Sequence, residues 1–159
     1  MQGDARVIEF LNEQLSAELT AVNQYFLHAK MQENWGYVKV AKHTYKESIE
    51  EMRHAETLTE RILFLEGLPN FQRLFPLRIG QTLPEQFTGD MAVEQEAVTR
   101  LREGAAYMRS IGDITSAQIF ETILADEEEH IDYLETQQEL IESLGLPLYL
   151  ASLIEQPGS

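Results

Sequence analysis

The chain has no cysteine, which excludes a disulfide framework, a thiolate metal site and a cysteine nucleophile. Basic residues are scarce: 12 lysines and arginines stand against 27 acids, for a net charge of −15 and a pI near 4.5. That balance has the wrong sign for holding nucleic-acid phosphates and suits a protein that gathers cations. Long apolar runs are missing too. In the first half the longest is Ile62 to Leu65, far short of a membrane span. Residues 1–10 include Asp4 and Arg6 and lack a secretory-type apolar stretch. A cytoplasmic protein with no membrane or nucleic-acid partner is expected. No run alternates polar with apolar residues, so strands are not predicted.

What is present is helical periodicity. The length of 159 residues, 43% hydrophobic, fits one globular domain over 1–159 with room for a sizeable core. Val7, Ile8, Leu11, Leu15, Leu19, Val22 and Phe26 recur at helical spacing between a capping Asp4 and a terminating Gly36. A second helix is predicted from about Val38 to Glu66, stopping at Gly67 and Pro69. Leu68 to Gly80 has two prolines and no period, which marks a long crossover. Thr82-Leu83-Pro84-Glu85 opens a third helix ending near Gly112, and Asp113 caps a fourth that closes at Gly145. Leu146 to Ile154 makes a short, nearly all-apolar fifth helix that needs covering, by another subunit on this reading. The fold class is therefore all-α, a four-helix bundle with one long crossover and a short C-terminal helix.

Several positions on the apolar stripes hold the wrong residue types for a core. Glu18 falls among Leu11, Leu15, Val22 and Tyr25, and Glu51 and His54 share a stripe with Leu58, Ile62 and Leu65. A shift of 76 residues carries Glu18, Glu51 and His54 onto Glu94, Glu127 and His130. In each Glu-x-x-His pair the two side chains leave the same helix face. His28 and His43 have no glutamate three residues earlier and read as packing or surface histidines.

Buried charges of this kind must be paired or coordinating. Two carboxylates about 4 Å apart repel by about 4 kcal/mol even at an effective dielectric near 20, and each also loses its hydration. Two divalent cations balance four carboxylates, and neutral imidazoles complete the ligand sets. Such mixed donors suit iron, manganese or zinc; ligand type alone does not separate them. The bland reading, accidental spacing of surface glutamates, fails to explain six such residues on core stripes.

The segments Gln24-Tyr25-Phe26-Leu27-His28, Glu47 to Ala55, Arg61 to Asn70 and Asp126 to Asp132 resemble those of the bacterioferritins, within the ferritin-like superfamily. The likeness runs over nearly the whole chain. It implies a ferritin-like fold and a ferroxidase di-iron centre at Glu18, Glu51, His54, Glu94, Glu127 and His130, with Glu51 and Glu127 as bridges. Iron(II) is then the substrate, oxygen or hydrogen peroxide the oxidant, and the product a stored ferric mineral. Tyr25 becomes a candidate hydrogen-bond or electron donor beside plain core packing.

Met52 lies off the ligand stripe, on a second apolar stripe with Tyr45 and Ile49. Taken alone it reads as packing in a dimer interface. The resemblance assigns it to haem b held between two subunits, one thioether from each side. It further implies a cytoplasmic cage of twenty-four subunits built from dimers, homomeric or mixed with a related subunit, emptied by a reductase partner such as a ferredoxin. Two departures stand out: Lys46 occupies a position where several relatives carry an inner-surface histidine near Glu50, and Leu148 and Ala151 stand where some relatives have polar residues lining a pore. Iron ingress between subunits past Glu66, Asp132 and Glu139 is the alternative route. Rival readings are a haem-carrying structural subunit, a rubrerythrin-like peroxide reductase (disfavoured by the missing cysteines) and a DNA-protecting mini-ferritin (disfavoured by the acidic charge).

Overall fold

In the computed structural model, which describes residues 1–154, five helices follow in order. They are α1 (Ala5–Asn34), α2 (Val38–Phe64), α3 (Leu83–Ser110), α4 (Ile114–Leu144) and α5 (Leu146–Ser152). The last five residues of the expected domain, 155–159, lie outside the described residues. No strand occurs among the described residues, and none of their helices is long and apolar enough to cross a membrane.

The helix ends follow the chemistry of their flanking residues. Asp4 Oδ1 accepts from the amides of Arg6 and Val7 at 2.9 and 3.0 Å, satisfying two of the orphan donors of α1. Thr82 and Asp113 cap α3 and α4 in the same way. After α2 the chain reverses one residue earlier than Gly67 suggests: Glu66 takes the left-handed conformation, with φ of 63°. Gly67 is needed for a different reason. A Cβ there would lie 2.9 Å from Ile8 Cγ2 and 3.0 Å from Ile62 Cγ2, so the glycine lets the loop close against α1 and α2.

Helix α1 packs along α2 and α3 along α4, and the two pairs join through α1–α3 and α2–α4 contacts. This is the arrangement that the 76-residue relation requires. One apolar cluster, with Leu11, Leu15, Leu58, Ile62, Leu101 and Phe120, fills one end of the bundle. A second, with Val40, Phe87, Leu134 and Tyr149, fills the other.

The crossover has no internal period because its hydrogen bonds go to α1. Asn12 Oδ1 accepts from Asn70 N, Thr20 Oγ1 from Phe75 N, Gln24 Oε1 from Arg78 N, and His28 Nε2 from Gly80 N. These α1 residues are four or eight apart, so they line one face of the helix. His28 is thus a packing histidine, fully buried, with Nδ1 2.9 Å from Asp90. His43 likewise stacks on Tyr133 at 3.6 Å and contacts Glu47.

Helix α5 is partly covered by its own bundle. Tyr149 is buried, stands edge-on to Phe87 and donates to Gln137 at 2.6 Å, while Leu153 O accepts from Lys39 N. Leu148 remains exposed.

Candidate metal centre

Between the two apolar clusters, each long helix contributes its carboxylate at one level. Glu18 comes from α1, Glu51 and His54 from α2, Glu94 from α3, and Glu127 and His130 from α4. All six are buried, none more than 7% exposed. Their donor atoms form two groups, Glu18–Glu51–His54–Glu127 and Glu51–Glu94–Glu127–His130, each with its atoms within 4.8 Å of one another. Only Glu51 and Glu127 belong to both, so these two carboxylates could bridge a pair of ions while Glu18 and Glu94 each serve one.

Both imidazoles turn Nδ1 inward. His54 Nδ1 lies 3.2 Å from Glu127, 3.5 Å from Glu18 and 3.9 Å from Glu51. His130 Nδ1 lies 3.2 Å from Glu51, 3.4 Å from Glu94 and 3.5 Å from Glu127. The outer nitrogens meet carboxylates that sequence reasoning did not assign to the centre. His54 Nε2 is 2.7 Å from Asp126, and His130 Nε2 is 3.1 Å from Glu50. An imidazole that ligates a metal through one nitrogen characteristically donates from the other to such a partner.

Buried polar atoms are nearly always hydrogen-bonded, yet Glu18 Oε2, Glu51 Oε1, His54 Nδ1, Glu94 Oε2 and Glu127 Oε1 have no hydrogen-bond partner. These bare atoms converge on one small volume, and two divalent ions with carboxylate and imidazole ligands would satisfy them together.

Protonation shows what the cations would replace. Burial pushes the Glu51 carboxyl well above the usual carboxylate range, and the Glu127 and Glu18 charges push it further. Glu94 is raised by burial and then by Glu127. Burial also pushes Glu127 up, but the polar groups of Glu94, His130, His54 and Glu51 around it outweigh this and hold Glu127 well below that range. For His54 and His130 burial disfavours the charged ring, and the surrounding carboxylates reverse this and raise both above the ordinary imidazole value. Without metal, protons do the neutralising.

Tyr25 is fully buried and donates its hydroxyl to Glu94 Oε1. Burial is the first cause, and the Glu94 charge the second, that raises its phenol well above the ordinary tyrosine value. It remains a neutral donor.

Met52 takes no part in this cluster. It is 46% exposed on the outer α1/α2 face beside Ile49, Tyr45 and Phe26, whose rings lie 6.3 Å apart. The second stripe of Tyr45, Ile49 and Met52 thus forms an exposed apolar face, to which Phe26 of α1 adds.

Comparison with known proteins agrees with this architecture. The family description "Ferritin-like domain" matches residues 8–144. The chain is 65% identical to a bacterioferritin of Streptomyces coelicolor over 98% of this chain and 93% of that one. It is 58% identical to one of Mycobacterium avium over the full length of both. The solved bacterioferritin BfrA of Mycobacterium tuberculosis superposes with a TM-score of 0.97 at 58% identity, covering 99% of each chain. The Rhodobacter capsulatus bacterioferritin, described with a metal-free dinuclear site and haem iron, superposes equally well. Its TM-score is 0.97 at 48% identity, over 100% of this chain and 99% of that one.

Proposed function

The chain belongs to the bacterioferritin family, and from that premise we propose that it stores iron, acting as a ferroxidase at the six-residue centre. The observation that carries this reading is the set of five bare donor atoms, from the four helix-borne glutamates and one histidine, facing each other in the middle of the bundle. Iron(II) is the substrate. Glu18 and His54 hold one ion, Glu94 and His130 the other, and Glu51 and Glu127 hold both. Two iron(II) ions each give one electron to dioxygen, which takes up two protons and leaves as hydrogen peroxide; hydrogen peroxide as oxidant takes the same two electrons and two protons and leaves as two waters. The residues supply position and charge balance while the redox chemistry belongs to the metal. Four carboxylates offset the charge of two divalent ions, and oxidation leaves a surplus of positive charge that favours release of the ferric product.

The same proposal extends to storage in a cytoplasmic cage of twenty-four subunits built from dimers, emptied by a ferredoxin-like reductase. The α1/α2 face fits haem b. Met52 offers a soft thioether, and Phe26, Tyr45 and Ile49 offer an exposed apolar surround that a partner subunit would close. Haem bound there would supply a one-electron redox centre for iron release.

Glu18→Ala and His130→Ala test the centre. Stopped-flow absorbance should show the rapid oxygen-dependent oxidation of iron(II) abolished in each, while gel filtration shows assembly retained. Wild-type rates in either variant would move the reaction elsewhere.

A further inference from the structure

Gln14 stands one turn before Glu18 on α1 and is 1% exposed. Its Nε2 donates to Glu18 Oε1 at 2.8 Å, and its Oε1 accepts from the Arg100 guanidinium of α3 at 3.3 Å. The direction of this amide is fixed by chemistry, since a guanidinium only donates and an ionised carboxylate only accepts. Arg100 is itself steadied by the Phe75 ring, 5.1 Å from its centroid. With Oε1 engaged, Glu18 keeps Oε2 bare, 3.5 Å from His54 Nδ1.

The other half of the bundle is built differently. The 76-residue relation carries Gln14 onto Asp90, but Asp90 accepts from Gln24 Nε2 and meets His28 Nδ1. Glu94 is held by the Tyr25 hydroxyl instead. One terminal carboxylate is therefore fixed by an amide backed by a cation, the other by a phenol from a different helix.

Resting on the two-metal reading of the six residues, we propose that Gln14, anchored by Arg100, is a positioning residue for the Glu18–His54 half of the centre alone. It pins one oxygen of Glu18 so that the other faces the ion, and so makes the two metal positions inequivalent in affinity.

Anaerobic titration of the assembled protein with cobalt(II), followed by calorimetry and visible absorption, tests this without turnover. Wild type should take up two ions per subunit in separable steps. Gln14→Met should weaken one step on the order of 10- to 100-fold, the usual effect of losing a partner that orients a metal ligand. Arg100→Met, a change on the outer side of the amide, should weaken the same step by a smaller factor. Adding His54→Ala should remove the affected step, and adding His130→Ala the unaffected one. Equal weakening of both steps, or no change in either, overturns the proposal. A wild-type protein that takes up no cobalt overturns the two-metal reading itself.

Discussion

Nε2 of His54 lies 2.7 Å from Oδ2 of Asp126, while its Nδ1 faces the buried glutamates with no hydrogen-bond partner. The first contact fixes the second, because a ring donating from Nε2 presents the Nδ1 lone pair inward when neutral. Asp126→Ala should therefore raise the iron(II) concentration needed for half-maximal oxidation by about 10- to 100-fold. Initial rates measured across iron concentrations would report this, and circular dichroism should stay that of wild type because the Asp126 side chain is 33% exposed. An unchanged half-saturation would mean that the ring is held by packing alone.

Metal binding should release protons. His54 and His130 are raised above the ordinary imidazole value in the metal-free protein, burial being outweighed by the adjacent carboxylates, so both rings are protonated at neutral pH. A ligating imidazole must be neutral. Loading with zinc(II) in weakly buffered solution should then release at least about two protons per subunit, and apparent affinity should climb as pH rises. An indicator dye would count them, and His54→Ala should lower the count. Binding with no proton release would show the rings already neutral.

How far the sequence was legible depended on what each residue answers to. Glu18, Glu51, His54, Glu94, Glu127 and His130 could be found because they break the apolar stripes at a repeated spacing, and a charge in a core position stands out by its type alone. The four long helices followed from period and caps. Gln14, Glu50 and Asp126 were not legible as parts of the centre. They are ordinary polar residues in sequence, and their roles arise only when α3 brings Arg100 to Gln14 or the bundle brings α2 and α4 together. The crossover was legible as a connection but its path was not, as its hydrogen bonds lie on α1 and not within itself. At Glu66 the local glycine signal misplaced the turn because Gly67 answers to crowding by Ile8 and Ile62.

Met52→Leu should erase the haem absorption bands of protein produced with a haem supply. Leucine nearly matches the volume but has no sulfur to ligate iron. The apolar face with Phe26, Tyr45 and Ile49 is kept, so association of subunits through it should persist on gel filtration. Unaltered bands would remove Met52 from the haem site, and lost association would show that its packing matters more than its ligation.

Acid should weaken the bundle at the start of α4. Asp113 caps that helix and also accepts from Arg61 of α2 at 3.0 Å and from Ser116 Oγ at 2.7 Å. Partial burial pushes its carboxyl up, but the bonds from Ser116 and Arg61 outweigh this and hold it below the usual range. A folded-state value below the unfolded one of about 3.9 adds stability that is full above pH of about 4 and fades as pH falls through the folded value. Asparagine caps helices as well as aspartate does, so Asp113→Asn isolates the charge. At pH 7 the variant should lose about 1 kcal/mol in urea unfolding of the metal-free protein, with partial solvent screening keeping the loss modest. The two curves should converge below pH of about 4, as protonation removes the charge from the wild type as well. A gap that persists undiminished in acid would assign the contribution to geometry at the cap and not to the ion pair with Arg61.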